Sequence, residues 1–168
     1  MKIGLVTVTY NSEHVLADFL KSVKNQSYSD YRLYVIDNDS KDKTNEVLKK
    51  ESDVKLVLND ENFGVAYANN QGVKWALKDG CDFVLLINND TVFEKELLSK
   101  LVDAYHKYKA SIVVPKMKYF DSKLIWFAGG FFDSKKAYLN YHRGQGEEDK
   151  RQFKDSFVDY APICCSLM

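Results

Sequence analysis

The sequence has few of the features that would place it outside ordinary globular proteins. Its two prolines and eight glycines among 168 residues are too few for a disordered or low-complexity chain. Its 24 basic residues balance 24 acidic ones, so no net charge favours nucleic acid or an anionic membrane. No apolar run approaches the roughly 20 residues that a transmembrane segment needs. The composition is that of one globular domain of ordinary size.

Cysteine is also scarce. Cys81 stands alone and Cys164 is adjacent to Cys165, with no Cys-x-x-Cys pair and no histidine spacing. This pattern excludes the usual zinc motifs and a disulfide framework. We therefore expect reduced thiols in a cytoplasmic protein.

The most informative stretch is an apolar run, residues 83–87, that breaks into Asn88-Asn89-Asp90-Thr91. The run is typical of a strand buried on both faces, as in a parallel sheet. A carboxylate at its carboxyl end, here Asp90, lies where open α/β sheets bind ligands. Thr91 with Glu94 predicts a capping box that begins the next helix at this point. The alternative interpretation is that these polar residues only form a turn.

Strand and helix patterns alternate along the first two thirds of the chain. The predicted strands cover residues 2–9, 31–37, 54–58, 83–87 and 111–114. The helices between them include one capped by Asn11 or Ser12, one over about 41–50 and one that opens near residue 65. Such alternation predicts an α/β fold with a mostly parallel sheet flanked by helices.

The pattern changes beyond Pro115. Residues 119–132 are aromatic and contain glycine, which predicts an irregular hairpin, whereas the charged residues 135–155 predict an exposed loop. Residues 157–168 are apolar again and are typical of a strand that needs a partner. We therefore expect residues 1–168 to be a single domain that is truncated on its C-terminal side.

Polar clusters follow three of the predicted strands, and a parallel sheet would gather them at one edge. The clusters are Thr9-Tyr10-Asn11, Asp37-Asn38-Asp39 and Asn88-Asn89-Asp90. In this order and spacing the sequence resembles the inverting family 2 nucleotide-sugar glycosyltransferases, whose donor-binding half has the GT-A fold. Further motifs resemble the branch that contains rhamnosyltransferases, namely Asn62-Phe63-Gly64, Asn70-Gln71-Gly72 and Ala128-Gly129-Gly130.

The resemblance implies roles for individual residues. Thr9 and Asn11 would line the base and ribose pocket, and Asp37 with Asn38 would read the edge of a pyrimidine. Asp90 would hold Mg²⁺ or Mn²⁺ jointly with the donor diphosphate, as hard cations are often bound. The family often has a second carboxylate at position 38 and an aspartate at position 88. The remaining donor-binding residues implied by the resemblance are Tyr10, Asn62, Gly64, Asn70, Asn88 and Asn89.

The implied activity is transfer of a sugar from a UDP- or TDP-activated donor, such as TDP-rhamnose, to a saccharide or lipid-linked acceptor with inversion. We assign no catalytic residue, because the family's general base lies in a later segment, beyond Met168. Asp133 and Asp159 are the carboxylates that would be tested first if the chain were active. We expect neither a nucleic-acid partner nor a transmembrane segment, but the full-length protein could associate peripherally with the inner face of a membrane.

Two other functions remain open at this point. A non-catalytic module that binds a nucleotide sugar is consistent with the missing base. A nucleotidyltransferase of similar architecture is the second, although such enzymes usually have a glycine-rich phosphate loop after the first strand. The segment Thr9-Tyr10-Asn11-Ser12-Glu13 contains no glycine and no lysine.

Overall fold

The computed structural model describes residues 1–168, with nine strands and four α-helices. The strands are β1 (Ile3–Thr9), β2 (Tyr31–Asp37), β3 (Val54–Leu58), β4 (Phe83–Ile87), β5 (Met117–Lys118), β6 (Ile125–Phe127), β7 (Gly130–Asp133), β8 (Leu139–His142) and β9 (Cys165–Leu167). The helices are α1 (Glu13–Lys24), α2 (Thr44–Leu48), α3 (Val65–Lys78) and α4 (Leu97–Tyr108).

A five-stranded sheet in the order β3-β2-β1-β4-β9 forms the centre of the fold. Its first four strands are parallel, and β9 runs antiparallel to β4. The predicted α/β class with a mostly parallel sheet is confirmed. The apolar segment at the end of the chain has its pairing partner in β4, which gives β4 a neighbour on both sides.

Apolar side chains cover the two faces of this sheet unequally. The larger core packs the stripes of α1 and α4 against one face, through residues such as Phe19, Leu98 and Leu85. The smaller core packs α3 against the other face, where Ala76 meets Val6. None of the helices has the length and apolar character that crossing a bilayer would require.

Helix α3 lies unusually close to β1. It presents Ala68, Gly72 and Ala76 at four-residue spacing to the sheet, and all three are buried. A Cβ atom on Gly72 would lie 2.3 Å from Cγ1 of Val6, which is well inside van der Waals contact. The close approach therefore depends on the missing side chain at Gly72.

The predicted capping box after β4 is wrong. Helix α4 begins only at Leu97, and the Thr91 hydroxyl donates to the Asn88 carbonyl (2.8 Å) instead of capping a helix. The intervening segment is bonded to α1: the Phe93 amide donates to Ser22 Oγ over 3.3 Å. Tertiary contacts with α1 thus replace the local cap that the sequence indicates.

Two further predictions are wrong in part. The predicted fifth strand over residues 111–114 is reduced to a single bridge between Val113 and Leu167. The exposed loop predicted for residues 135–155 contains β8, which pairs antiparallel with β7. This pairing brings Phe131 and Tyr141 into a stacked arrangement with ring centroids 5.9 Å apart. A second short hairpin, β5 with β6, completes the irregular hairpin region.

Candidate functional site

The carboxyl ends of β1 and β2 place Thr9 and Asp37 side by side. The two residues are register partners and both are fully buried. The Thr9 hydroxyl donates to Asp37 Oδ2 over 2.7 Å, and the backbone N–H of Asn38 donates to the Thr9 carbonyl over 2.9 Å. The first two predicted polar clusters therefore do meet at one edge of the sheet.

Asp37 is saturated by donors from within the chain. Oδ2 also accepts from the Ser40 hydroxyl (2.5 Å), while Oδ1 accepts from the Ser40 amide (2.9 Å) and from Asn45 Nδ2 (3.2 Å). Buried carboxylates are stable only when they are hydrogen-bonded in this way. Asp37 thereby fixes the loop after β2 to the end of β1, and its direct contact with a base stays a prediction.

The loops after β1 and β2 are joined by hydrogen bonds from backbone N–H groups to side-chain oxygens. The backbone N–H of Asn11 donates to Ser40 Oγ (2.9 Å), and the backbone N–H of Lys41 donates to Asn11 Oδ1 (2.8 Å). Asn11 and Asp39 both have left-handed backbones, with φ of 51° and 65°. Such conformations are uncommon for residues other than glycine and cluster at functional sites.

Hydrogen bonds between these two loops also reach the starts of α1 and α2. The amides of Ser12 and Glu13 donate to Thr44 Oγ1 (2.8 Å) and Asp42 Oδ2 (3.0 Å), side chains of the neighbouring loop. Ser12 is the N-cap residue of α1, as predicted, but its side chain makes no capping hydrogen bond, so the prediction is confirmed in position only. Helix α2 begins later than the predicted residue 41, because the backbone amides of residues 41 and 43 donate to the side chains of Asn11 and Glu13, and it ends at Leu48.

The loop after β4 is hydrogen-bonded to the end of β1 and the loop that follows it through Asn89. Its Nδ2 donates to the Val8 carbonyl (2.9 Å) and to Ser12 Oγ (2.8 Å). Asn89 therefore ties the end of β4 to the end of β1. Asn88 presents an exposed side chain, and its backbone amide donates to the Cys164 carbonyl over 2.9 Å.

Four side-chain amides form a continuous network behind these loops. Asn38, which is 2% exposed, donates from Nδ2 to Asn62 Oδ1 (3.2 Å) and accepts at Oδ1 from Asn59 Nδ2 (2.9 Å). Asn59 in turn exchanges two hydrogen bonds with Gln71 of α3, at 2.9 and 3.0 Å. Asn62 Oδ1 also accepts from the Gly64 amide over 2.9 Å. This network joins Asn38 to the loop after β3 and to α3.

The other predicted donor-binding residues lie at the surface of this region. Tyr10 has a half-exposed ring, and Gly64, the N-cap residue before α3, has a φ of 81°. Asn70 is exposed in the second turn of α3 and makes no side-chain hydrogen bond. Its contribution to the site stays a prediction. An exposed aromatic pair, Phe63 and Tyr67, lies at the start of α3 with ring centroids 4.9 Å apart.

Asp90 is exposed and makes no hydrogen bond or ion pair, so its carboxylate is free to take a ligand. No group of three or more histidine, cysteine, aspartate or glutamate side chains in residues 1–168 could hold a metal ion. Mg²⁺ typically binds through one or two carboxylates together with substrate phosphates. The residues therefore fit a metal that is held jointly by Asp90 and a diphosphate, and not a cage made by the protein alone.

Two cysteines lie at the β4–β9 side of the site. Burial, together with the negative charge of Asp90, raises the pKa of Cys164 above its ordinary value of 9.0. Burial raises the pKa of Cys165 to about 12. Both thiols therefore stay protonated at neutral pH, and Cys164 is the less buried of the two.

Five residues of the site are not among the predicted donor-binding residues, although Ser12 is a predicted helix cap and Gln71 lies in a predicted motif: Ser12, Ser40, Asn45, Asn59 and Gln71. Asn59 directly follows β3, so it fits the same strand-end pattern as the three predicted clusters. Ser40 and Asn45 carry no such signal, because their contacts with Asp37 depend on how two loops fold onto each other.

The model of the family "Glycosyl transferase family 2" matches residues 5–166, nearly the whole chain. The chain belongs to glycosyl transferase family 2. A curated relative from Haloferax volcanii, a glucosyl-dolichyl phosphate glucuronosyltransferase, is 28% identical over 144 residues, which cover 77% of this chain. The Escherichia coli UDP-Glc:alpha-D-GlcNAc-diphosphoundecaprenol beta-1,3-glucosyltransferase WfgD is 31% identical over 93 residues, or 54% of this chain.

Solved structures agree with this family 2 fold. The crystal structure of Staphylococcus aureus TarS 1–349 superposes with a TM-score of 0.66 at 23% identity over 79% of the chain, which establishes the GT-A fold. The mannosyltransferase PcManGT from Pyrobaculum calidifontis, solved with GDP-Man and Mn²⁺, gives 0.63 at 20% identity over 70% of the chain. This family 2 chain spans 45% and 36% of the lengths of the two curated relatives, and 41% of the TarS chain.

Proposed function

We propose that this chain forms the donor-binding part of an inverting, metal-dependent glycosyltransferase that uses a UDP- or TDP-activated sugar. The observation that carries the proposal is the convergence of three polar loops at the carboxyl edge of the sheet, with the free carboxylate of Asp90 on one of them. In open α/β sheets, ligands bind at this edge. TarS has been solved in complex with UDP and with UDP-GlcNAc, which supports a uridine diphosphate donor.

The nucleoside would bind across the ends of β1 and β2. Tyr10 and Asn11 are the exposed residues there that can meet a base and ribose. Asn38 is 2% exposed but keeps one N–H and one oxygen lone pair unused, so it would reach a base only at the buried end of this site. Thr9 and Asp37 are buried against each other, which supports a role in positioning these loops.

The diphosphate would bind toward the loop after β4. Asp90 would hold Mg²⁺ or Mn²⁺ there, together with phosphate oxygens. When bound, the metal would neutralise the negative charge that develops on the nucleoside diphosphate as the bond between sugar and phosphate breaks. The complex of PcManGT with GDP-Man and Mn²⁺ supports a metal of this kind in the fold.

The acceptor and the sugar are proposed from the relatives' names and from the sequence motifs. The names of the two curated relatives refer to a dolichyl phosphate and to a diphosphoundecaprenol, which supports a lipid-linked acceptor. A place at the inner face of a membrane is part of the same proposal. TDP-rhamnose rests on the sequence motifs alone. Asp133 and Asp159 accept hydrogen bonds from the Lys135 and Phe132 amides, so neither is offered as the general base.

The proposal is tested by calorimetric titration of the chain with UDP, TDP, ADP and GDP, each with and without Mn²⁺. We expect the two pyrimidine nucleotides to bind more tightly than the two purine nucleotides, and Mn²⁺ to strengthen their binding. Equal or tighter binding of ADP or GDP would reject the proposed nucleoside site.

A further inference from the structure

The hairpin of β7 and β8 forms a sheet of its own and ends in an exposed tip. A bridge between Gly130 and Tyr160 joins its base to the rest of the chain. We define the hairpin tip as four exposed residues in and beside the turn: Lys135, Lys136, Tyr138 and Leu139. Tyr138 is 70% exposed and Leu139 is 63% exposed. Tyr141 lies two residues beyond Leu139, on the same face of β8, and is also exposed, so the apolar surface is continuous.

The turn of this hairpin is ordered although its backbone is strained. Ala137 and Tyr138 both have left-handed backbones, with φ of 52° and 56°. Glycine or asparagine is usual in such turns, and a bulky residue there is an outlier. Asp133 holds the turn, because its carbonyl accepts from the backbone N–H of Tyr138 (3.0 Å) and its Oδ1 accepts from that of Lys135 (2.9 Å). Strain of this kind clusters at functional sites.

The hairpin is positively charged although the whole chain is neutral. Residues 130–143 contain one acidic residue, Asp133, and three basic ones: Lys135, Lys136 and Arg143. The Asp133 carboxylate accepts the hydrogen bond within the turn and lies 3.9 Å from Lys136 Nζ. The tip therefore combines a net positive charge with an exposed tyrosine and an exposed leucine. Proteins place lysine and tyrosine at the boundary between lipid headgroups and hydrocarbon, with aliphatic side chains inserted beyond them.

The base of the hairpin is linked to the loop that carries Asp90. The Gly130 carbonyl accepts from the backbone N–H of Asp159 over 2.8 Å, and the Cys164 carbonyl accepts from that of Asn88 over 2.9 Å. The short chain between Asp159 and Cys164 spans at most about 18 Å. Adding the length of the hairpin places its tip within roughly 35 Å of the Asp90 loop. A membrane bound at the tip would thus keep the proposed donor site near the bilayer surface.

We propose that the hairpin tip is a membrane-contact surface, in which Lys135 and Lys136 bind the anionic headgroups of a phospholipid bilayer while Tyr138 and Leu139 enter the interface. The inference rests on the proposed function in one respect, because a bilayer is where a lipid-linked acceptor would be found. The contact is weak and reversible, since two lysines and two partly inserted side chains supply less than a stable anchor needs.

The test measures binding of the whole 168-residue chain to vesicles by sedimentation. The vesicles contain phosphatidylcholine alone or mixed with phosphatidylglycerol, which is anionic. The first variant, Lys135→Gln with Lys136→Gln, removes both charges without placing a new carboxylate near the turn. Its matched control is Lys49→Gln with Lys50→Gln, which makes the same change in two adjacent exposed lysines just after α2.

A second pair of variants tests the apolar contact. Leu139→Ser removes the leucine of the tip, and Leu77→Ser on α3 is its control, because Leu77 is exposed to a similar extent, 59%. Circular dichroism and the unfolding midpoint of each variant show that it is folded. All four positions of the two lysine variants and both leucines are exposed, so the fold should be unchanged.

We expect the wild type and both controls to bind the mixed vesicles at low salt, and to bind phosphatidylcholine at least about tenfold more weakly. High salt should release the protein. Each lysine near an anionic surface contributes about a factor of five, so Lys135→Gln with Lys136→Gln should bind on the order of 25-fold more weakly. Leu139→Ser should lose roughly fivefold, because less apolar surface leaves water.

Three results would overturn the proposal. The first is a wild type that does not bind the mixed vesicles or binds both kinds equally. The second is a lysine variant of the tip that binds like the wild type. The third is an equal loss in the Lys49 and Lys50 control, which would show attraction by the whole surface and not by the hairpin.

Calorimetry with UDP separates this proposal from the proposed function. A wild type that binds UDP but not vesicles would show that the role of the hairpin tip is wrong while the donor site stands. A wild type that binds the mixed vesicles through the tip but does not bind UDP would reject the donor site and leave the membrane contact supported. The tip variants should bind UDP within about twofold of the wild type, because none of the changed residues lies in the proposed donor site.

Discussion

Replacing Asp37 separates a loop-positioning role from direct contact with a base. In Asp37→Asn, the new NH2 group can occupy the place of Oδ2, where it faces the hydroxyls of Thr9 and Ser40. Hydroxyls accept as well as donate, so both contacts can survive with their directions reversed. Oδ1 remains an acceptor for the Ser40 amide and for Asn45. Asp37→Ala instead removes every acceptor at once.

The magnitudes follow from the bonds that each variant keeps. Hydrogen bonds to charged groups contribute about 1.5–3 kcal/mol each and neutral ones about 0.5–1.5, but removing a buried charge also relieves desolvation. We therefore expect Asp37→Asn to lower the free energy of unfolding by roughly 1–2 kcal/mol. Asp37→Ala leaves the Ser40 amide and the Asn45 side chain without acceptors, at about 1–3 kcal/mol each, for a loss of roughly 4 kcal/mol.

Urea unfolding of the two variants and calorimetry with UDP measure both effects. If Asp37 only positions the loops, folded Asp37→Asn should bind UDP within about twofold of the wild type. A stability loss in Asp37→Asn as large as that in Asp37→Ala would refute the hydrogen-bond reasoning. Retained stability with strongly weakened UDP binding would instead show that the carboxylate contacts the base.

Three further predictions concern other parts of the molecule. Asp90→Ala should change the free energy of unfolding by less than about 0.5 kcal/mol, because the side chain is exposed and unbonded, yet it should abolish the strengthening of UDP binding by Mn²⁺. Gly72→Ala should destabilise the protein by about 1–3 kcal/mol in urea unfolding, since its Cβ would lie 2.3 Å from Val6 Cγ1. Burial and the charge of Asp90 raise the pKa of Cys164, so its alkylation by iodoacetamide should be slow at neutral pH and the rate should rise as the pH passes 9. Asp90→Ala should lower this pKa and increase the rate.

Each of these has an outcome that would contradict it. Mn²⁺ that still strengthens UDP binding in Asp90→Ala would make Asp90 a turn former only. Lys74→Ala, an exposed change on the same helix, is the control for Gly72→Ala, and equal stability of the two variants would disprove the close contact with β1. An alkylation rate at Cys164 that does not respond to Asp90→Ala would show that the two side chains do not interact.

The central sheet could be predicted because its strands carry their own signal. Residues 54–58 and 83–87 match the observed strands residue for residue, since short runs of β-branched and aliphatic residues between polar turns allow few other structures. The helix after β4 could not be placed in the same way. At its start the backbone amide of Leu98 donates to Oε1 of Gln26, just after α1, a contact between residues far apart in the sequence.

The site, like the fold, has features that could be predicted from the sequence and features that could not. That polar residues would gather at one edge follows from parallel topology, and the bond between Thr9 and Asp37 bears this out. The sequence could not reveal that Asp37 is saturated or that Asn89 bonds to the β1 loop, because these facts depend on side-chain directions in folded loops. Patterns along a chain indicate which residues come near each other, but not which of them remain free to bind a ligand.

The left-handed backbones of Asn11 and Asp39 have a consequence for the thermodynamics of ligand recognition. Each conformation costs on the order of 1 kcal/mol or more, and the bonds between the two loops hold both of them in the free protein. The loops are therefore ordered when the chain folds and not when a nucleotide arrives. Association should proceed with little loss of backbone entropy and little movement of the main chain, so that the binding free energy reflects the contacts themselves.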